Sequence, residues 1–124
     1  MAEVLVLVEH AEGALKKVST ELITAARVLG EPSAVVVGPE GTAAGLTDGL
    51  KAAGAAKIYV AESADVDNFL VTPKVDVLAA LAESAAPAAV VIAANAEGKE
   101  VAGRLAARLG SGLLVDDVEI KEGG

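Results

Sequence analysis

Short apolar runs alternate along the chain with longer amphipathic stretches. The runs are rich in valine and isoleucine, and polar residues do not alternate within them. A strand that is apolar on both faces is typical of a parallel sheet covered by helices on both sides. Four such strands are predicted, namely Val4–Val8, Ala34–Val37, Lys57–Val60 and Ala89–Ala93.

Between the strands, apolar residues recur at the three- and four-residue spacing of a helix face. The predicted helix stripes run from Leu15 to Leu29, from Leu46 to Ala53, from Val75 to Ala85 and from Val101 to Leu109. This alternation predicts a doubly wound, Rossmann-like α/β fold, with a mainly parallel sheet and helices on both faces. Residues 1–124 are long enough for one core, so a single domain is expected.

Glycine, proline and acidic residues mark the expected ends of these elements. Gly30, Gly54 and Gly110 each follow a helix stripe, where a left-handed C-cap is expected. Thr72 and Pro73 are predicted to be the N-cap and first residue of the third helix. A short extra turn is expected at Asp65–Leu70. Near the end, a last extended piece is predicted near Leu113–Ile120. Apolar and acidic residues alternate over Val115–Ile120, as in an acidic edge strand.

Composition and charge narrow the possible functions. The 124 residues are 53% hydrophobic and only 2% aromatic, with no cysteine and a formal net charge of −8. Negative charge disfavours nucleic acid and anionic membranes as partners. The lack of cysteine removes disulfides, thiolate catalysis and cysteine-ligated metals. No apolar run approaches the ~20 residues that span a bilayer, and no basic export signal opens the chain. A cytoplasmic location is expected.

Ligands of doubly wound folds bind at the carboxyl ends of the strands, where strand order reverses. If the first and fourth strands flank that point, Glu9–Gly13 and Ala94–Lys99 form its rim. Asn95, Gly98 and Lys99 open a helix and favour an anion site there. The carboxylates of Glu9 and Glu12 oppose a phosphate, and neither loop carries a glycine-rich nucleotide motif. Helix capping is the preferred interpretation, and nucleotide binding stays open as the alternative.

Other polar residues have simpler structural interpretations. His10 lacks a recognisable nucleophile partner, so it is interpreted as a rim contact. Asp116 and Asp117 are adjacent on a strand, so they cannot act as a carboxylate pair. The segment Gly38–Thr42 is interpreted as a turn with Thr42 as helix cap, because Pro39 and Glu40 disfavour a phosphate loop. We predict no catalytic, cofactor-binding or metal-ligating residue.

The fourth helix carries a row of charges at four-residue spacing. Glu100, Arg104 and Arg108 are most simply a solvent-facing ladder of ion pairs. The alternative is a surface that docks an acidic partner, because arginine is enriched at interfaces.

Three segments resemble the alpha subunits of electron transfer flavoproteins. They are the opening Glu3–His10, the helical Glu21–Ala26, and the run Gly98–Gly110 (GKEVAGRLAARLG), which continues to Gly112, Leu113 and the acidic Asp116-Asp117. The last run is distinctive of the family's N-terminal domain, although the family commonly has proline where this chain has Gly103. The resemblance covers essentially the whole chain.

This resemblance implies a specific function. The whole family protein is an alpha–beta heterodimer whose FAD carries electrons from acyl-CoA and other dehydrogenases to a quinone oxidoreductase. The FAD-binding domain is C-terminal in the alpha subunit, so its motifs have no positions here and this chain is expected to bind no cofactor. The chain is then an electron-carrier scaffold that packs against the beta subunit, and not an enzyme. The alternative is an autonomous adenine-nucleotide-binding module of the universal stress protein type.

Overall fold

A computed structural model of the chain describes residues 3–11, 14–38, 41–62, 71–109 and 114–118, with the side chains of 11, 14 and 114–118 excepted. The strands are β1 (Glu3–Leu7), β2 (His10–Ala11), β3 (Ala14–Leu15), β4 (Glu31–Gly38), β5 (Lys57–Glu62), β6 (Ala89–Ala93) and β7 (Leu114–Val118). The helices are α1 (Lys17–Ala26), α2 (Thr47–Ala53), α3 (Val71–Ala85) and α4 (Ala96–Leu109), with a 3₁₀ turn at Ala43–Gly45 before α2.

Five strands form one parallel sheet in the order β5-β4-β1-β6-β7. β1 lies in the centre, and strand order reverses between β1 and β6, as expected from the sequence. Val4, Leu5 and Val6 of β1 are fully buried on both faces of the sheet, because helices cover both sides. The predicted doubly wound α/β class is confirmed.

The two faces of the sheet form separate aliphatic cores. Val4 and Val6 face the first core, where Leu22 of α1 and Leu50 of α2 are fully buried. Leu5 faces the second core, which α3 and α4 close with buried side chains such as Leu78 and Leu105. Every buried hydrophobic residue in the described part of the chain is Ala, Val, Leu or Ile. The result is a three-layer α/β/α arrangement with a mainly aliphatic core, against which the partly buried ring of Tyr59 packs.

The first predicted helix is wrong at both ends. Leu15 lies in a short antiparallel hairpin, opposite His10, and α1 begins only at Lys17. Two-residue strands are too short to show an alternating pattern, so no local signal predicts this hairpin. At the other end, α1 closes at Arg27 in a right-handed conformation, so Leu29 lies outside the helix. Gly30 has no positive φ and is therefore not a left-handed cap.

Other predicted ends have mixed outcomes. Gly54 adopts φ 114° and caps α2, as expected. Thr72 is not the N-cap of α3, because the helix already includes Val71; Pro73 still lies in the first turn, where no N–H is needed. The extended C-terminal piece is observed as β7, which pairs with β6 at the sheet edge. Gly110 and the turn at Asp65–Leu70 lie outside the described residues.

The end of β6 and the start of α4 approach each other unusually closely. A Cβ atom built on Gly98 would lie 1.8 Å from the carbonyl oxygen of Ala93. Real Cβ atoms do not come this close to backbone, so only glycine fits this turn of α4. Gly103 of the same helix has open space, with no heavy atom within 4 Å of its built Cβ.

Alanine at these two glycines should therefore have opposite effects. We expect Gly98→Ala to lower the free energy of unfolding by roughly 2–3 kcal/mol, because α4 must move away from β6. We expect Gly103→Ala to raise it by up to ~1 kcal/mol, because alanine is the better helix former. Urea unfolding of both variants measures the difference. Equal stability of the two variants would contradict the close approach at Gly98.

Candidate functional site at the carboxyl edge of the sheet

The loops that follow β1 and β6 meet at the point where strand order reverses. The side-chain nitrogen of Asn95 donates a hydrogen bond to Glu9 Oε2 at 2.7 Å. The sequence predicted both loops as the rim of this edge, and the structure brings them together. This is the position at which doubly wound folds bind ligands. Glu12 and Gly13 of the first loop lie outside the described residues.

Asn95 caps α4 with the other end of its amide. Its side-chain oxygen accepts the N–H of Gly98 at 2.8 Å, and its carbonyl accepts the N–H of Lys99 at 2.8 Å. An anion that binds at a helix start is held by N–H groups in these positions, which must then be free of partners within the chain. The Gly98 N–H is therefore already used within the chain, as the capping interpretation expects. Lys99 itself is exposed.

Glu9 is fixed at this edge through both its backbone and its side chain. The buried Ser19 hydroxyl accepts the Glu9 N–H at 2.6 Å and donates to the Glu9 carbonyl at 2.8 Å. The ammonium of Lys16 lies 3.8 Å from the Glu9 carboxylate, whose side chain is only 13% exposed. Sequence reasoning missed Ser19. The available signal was its place on the apolar face of α1, one turn before Leu22.

The electrostatics of this edge disfavour a phosphate. The Glu9 carboxylate reaches the start of α4 through Asn95, where the positive end of the helix dipole favours negative charge. An incoming phosphate would meet that carboxylate at short range, in a chain with net charge −8. The arrangement holds two loops together and places a carboxylate beside the helix start.

His10 makes a structural contact at the same edge. Its Nε2 atom lies 3.2 Å from the carbonyl oxygen of Val37, near the end of β4. When Nε2 carries a proton, this contact is a hydrogen bond that joins the hairpin to β4. In the described part of the chain, no hydroxyl nucleophile is among its hydrogen-bond partners.

The loop after β4 is organised differently from the prediction. Gly41 adopts φ 87°, and Thr42 is already helical, with no side-chain cap hydrogen bond. The predicted Thr42 cap is therefore wrong. Instead, the N–H of Ala43 donates to Glu62 Oε2 at 2.8 Å, so a carboxylate from the end of β5 holds this turn. Pro39 and Glu40 lie outside the described residues.

The predicted charge ladder on α4 is correct only in its first step. Arg104 contacts Glu100 of the same helix at 2.8 Å. Arg108 instead forms an ion pair with Asp76 of α3, so it joins two helices and does not continue the row. The spacing along α4 contains no information about this partner, which lies 32 residues earlier.

A further ion pair between the same helices was not predicted. Lys74 of α3 contacts Glu97 of α4 at 2.7 Å, and its side chain is only 11% exposed. A nearly buried ammonium needs such a partner, because an unpaired charge is costly to remove from water.

The backbone of Asp116 and Asp117 in β7 pairs with Val91 and Ile92 of β6. The side chains of both aspartates lie outside the described residues.

A second polar cluster lies at the opposite, amino edge of the sheet. Glu3 Oε2 accepts hydrogen bonds from the Ser33 hydroxyl at 2.5 Å and from the Tyr59 hydroxyl at 2.8 Å. The hydrogen bond to Glu3 raises the pKa of Tyr59 above its usual 10.0, and burial and the negative charge of Glu3 raise it further. The cluster joins the starts of β1, β4 and β5.

Within the described residues, no group of three His, Asp or Glu side chains is placed to hold a metal ion. No helix among them has the length and apolar character needed to cross a membrane.

Fold and site together define a three-layer α/β domain of the nucleotide-binding architecture, in which the side chains of Glu9 and Asn95 bridge the two loops of the switch point. A family model for the electron transfer flavoprotein domain matches residues 4–124. The chain belongs to this family, and the resemblance seen in the sequence is confirmed.

Individual relatives agree with the family match. The electron transfer flavoprotein subunit alpha of Mycobacterium tuberculosis is 80% identical over 124 residues, which are 100% of this chain and 39% of the relative. The subunit of the same name from Mycobacterium leprae is 76% identical over 99% of the chain and 39% of its own length. A lactate dehydrogenase (NAD(+),ferredoxin) subunit from Acetobacterium woodii is 33% identical over 94% of the chain and 29% of its own length. The chain thus spans about two fifths of the mycobacterial relatives.

Two substitutions that exchange the carboxylate of Glu9 and the amide of Asn95 test the contact between the two loops. Asn95→Asp keeps the capping oxygen but places a second carboxylate against Glu9, so we expect a loss of about 1–2 kcal/mol in unfolding free energy. Adding Glu9→Gln should restore most of this loss, because the glutamine amide can donate to the introduced aspartate. Urea unfolding of both single variants and the double variant measures the coupling. Strictly additive effects would contradict a direct contact.

Tyr59 is the only tyrosine of the chain, so phenolate absorbance reports its pKa alone. We expect titration above pH 10.0, and a lower pKa in Glu3→Gln, where the carboxylate charge is removed. Because folding raises this pKa, the Tyr59 contribution to stability is complete below pH 10.0 and is lost as pH rises through the folded value. The stability difference between wild type and Tyr59→Phe should therefore shrink above pH 10.0. A difference that does not change with pH would contradict a raised pKa of Tyr59 in the folded chain.

Proposed function

We propose that this chain is a scaffold domain of an electron transfer flavoprotein alpha subunit, with residues 1–124 as a single domain. In this proposal it packs against the beta subunit and binds no cofactor itself. The FAD site lies in the part of the protein outside the matched region. The domain has no catalytic, cofactor-binding or metal-ligating residue of its own.

The contacts of Asn95 with Glu9 and Gly98 at the switch point support this proposal. Asn95 uses both ends of its amide within the chain, and the Glu9 carboxylate stands where a phosphate would bind. A flavin or adenylate needs a different arrangement at that edge, with free N–H groups facing the ligand. We therefore expect the domain to act through contacts of its outer surface. The high identity to alpha subunits indicates the assembly in which these contacts form.

In the whole protein, we propose the role that the family resemblance implies. FAD accepts electrons from acyl-CoA and other dehydrogenases and passes them to a quinone oxidoreductase. This chain acts there as part of an electron carrier in the cytoplasm, with no nucleic acid or membrane as partner. The role of this domain in the assembly is to hold the subunits in a fixed arrangement.

The experiment compares cofactor binding with subunit binding. We expect the purified chain to be colourless, to release no heat beyond dilution when titrated with AMP, ATP or FAD, and to co-elute with the cognate beta subunit. Cooperative urea unfolding of the same sample shows that the chain is folded. Micromolar binding of AMP or ATP would instead support the autonomous nucleotide-binding module. A stoichiometric flavin band, or separate elution from the beta subunit, would contradict the proposal.

A further inference from the structure

A groove of about 530 Å³ lies between α2 and the edge strand β5, on the side of the sheet away from β6 and β7. Its floor is apolar and is formed by Ala55, Ala56, Ile58 and Val60. Ile58 packs against the first core, but Val60 is 48% exposed. A single exposed valine is ordinary on a protein surface, and what distinguishes this one is its place on the edge strand β5.

The backbone of β5 is available for pairing along this groove. Its six residues pair in parallel with β4 on one side. In the described part of the chain, no strand pairs with its other side. Such an edge presents unpaired N–H and C=O groups, which an extended peptide can bind as an additional strand.

The charges around the groove are basic, in contrast to the chain as a whole. Lys51 and Lys57 line it and are exposed, and no carboxylate is among the lining residues. Neither lysine forms an ion pair with another described residue. Among the described residues, acidic side chains near it in sequence are Asp48, on the previous turn of α2, and Glu62, whose carboxylate is bonded to Ala43. A basic groove in a chain of net charge −8 favours an acidic occupant.

We propose that this groove binds an extended, acidic segment of a partner polypeptide, which adds to β5 as a sixth strand. Backbone hydrogen bonds to the strand edge supply the alignment. Alternate apolar side chains of the segment cover Val60 on the α2 face of the sheet, and its carboxylates project to the other face of β5, beside Lys57. Lys51, at the rim of the groove, adds positive charge that attracts the same carboxylates. This inference stands on the geometry of β5 and α2 and is independent of the proposed function.

The test uses two synthetic peptides and the isotopically labelled chain. One peptide alternates valine with glutamate over about seven residues, the length of a strand that matches β5, and the other alternates valine with lysine. We expect the acidic peptide to shift the amide NMR signals of β5 and α2, to slow hydrogen exchange along β5, and to bind more weakly as salt rises. We expect the basic peptide to leave these signals unchanged.

Charge-reversal variants and a control variant test whether Lys51 and Lys57 attract the acidic peptide. The double variant Lys51→Glu/Lys57→Glu should weaken the acidic peptide about tenfold, as expected for the loss of two rim ion pairs. Lys99→Glu, at an exposed lysine of α4 on the opposite face of the sheet, should leave binding unchanged. The urea midpoints of the variants show that all of them are folded.

Three outcomes of the peptide titrations would overturn the proposal. They are the absence of shifts in β5, equal binding of the basic peptide, and equal weakening by the double variant and the Lys99 control. Signals of β5 that shift with protein concentration alone would also overturn it, because they assign the groove to a second copy of the chain.

Discussion

The hydrogen bonds of one asparagine decide what the carboxyl edge of the sheet can do. Asn95 joins the loop after β1 to the first turn of α4, and it does so at the point where strand order reverses. Because Gly98 lets α4 start directly against Ala93, the cap lies at the end of the central strands. The buried Ser19 then fixes Glu9 from the other side. An anion site of this fold would need the same space and the same N–H groups.

The fold class could be predicted because burial on both faces of a strand leaves a local pattern. Val4–Val8 and Ala89–Ala93 contain no polar residue, which is typical of a sheet covered on both sides. The rim was also predictable, since topology places the loops after β1 and β6 together. Contacts such as Ser19–Glu9 and Lys74–Glu97 were not predictable, because their partners are 10 and 23 residues apart.

Cap residues were predicted least well, and the reason is physical. Thr42 has the right residue type for an N-cap, yet the turn that follows it donates its N–H to Glu62 of β5. A tertiary partner thus replaces the local one, because the fold brings a carboxylate to that N–H. The capping interpretation at the start of α4 agrees with the structure, because the side chain of Asn95 is the partner of the Gly98 N–H. A local capping rule predicts the acceptor correctly where the fold brings no tertiary acceptor to the same N–H.

The turns before α2 and α4 share one feature, since a carboxylate or an amide of the chain itself accepts one of their N–H groups. Glu62 holds Ala43, and Asn95 with Glu9 holds the start of α4. The N–H groups of Ala43 and Gly98 at the carboxyl edge are therefore satisfied within the chain. The edge of β5 differs, because its outer N–H and C=O groups find no strand within the described residues. Open backbone of this kind is the surface on which another polypeptide can align as an additional strand.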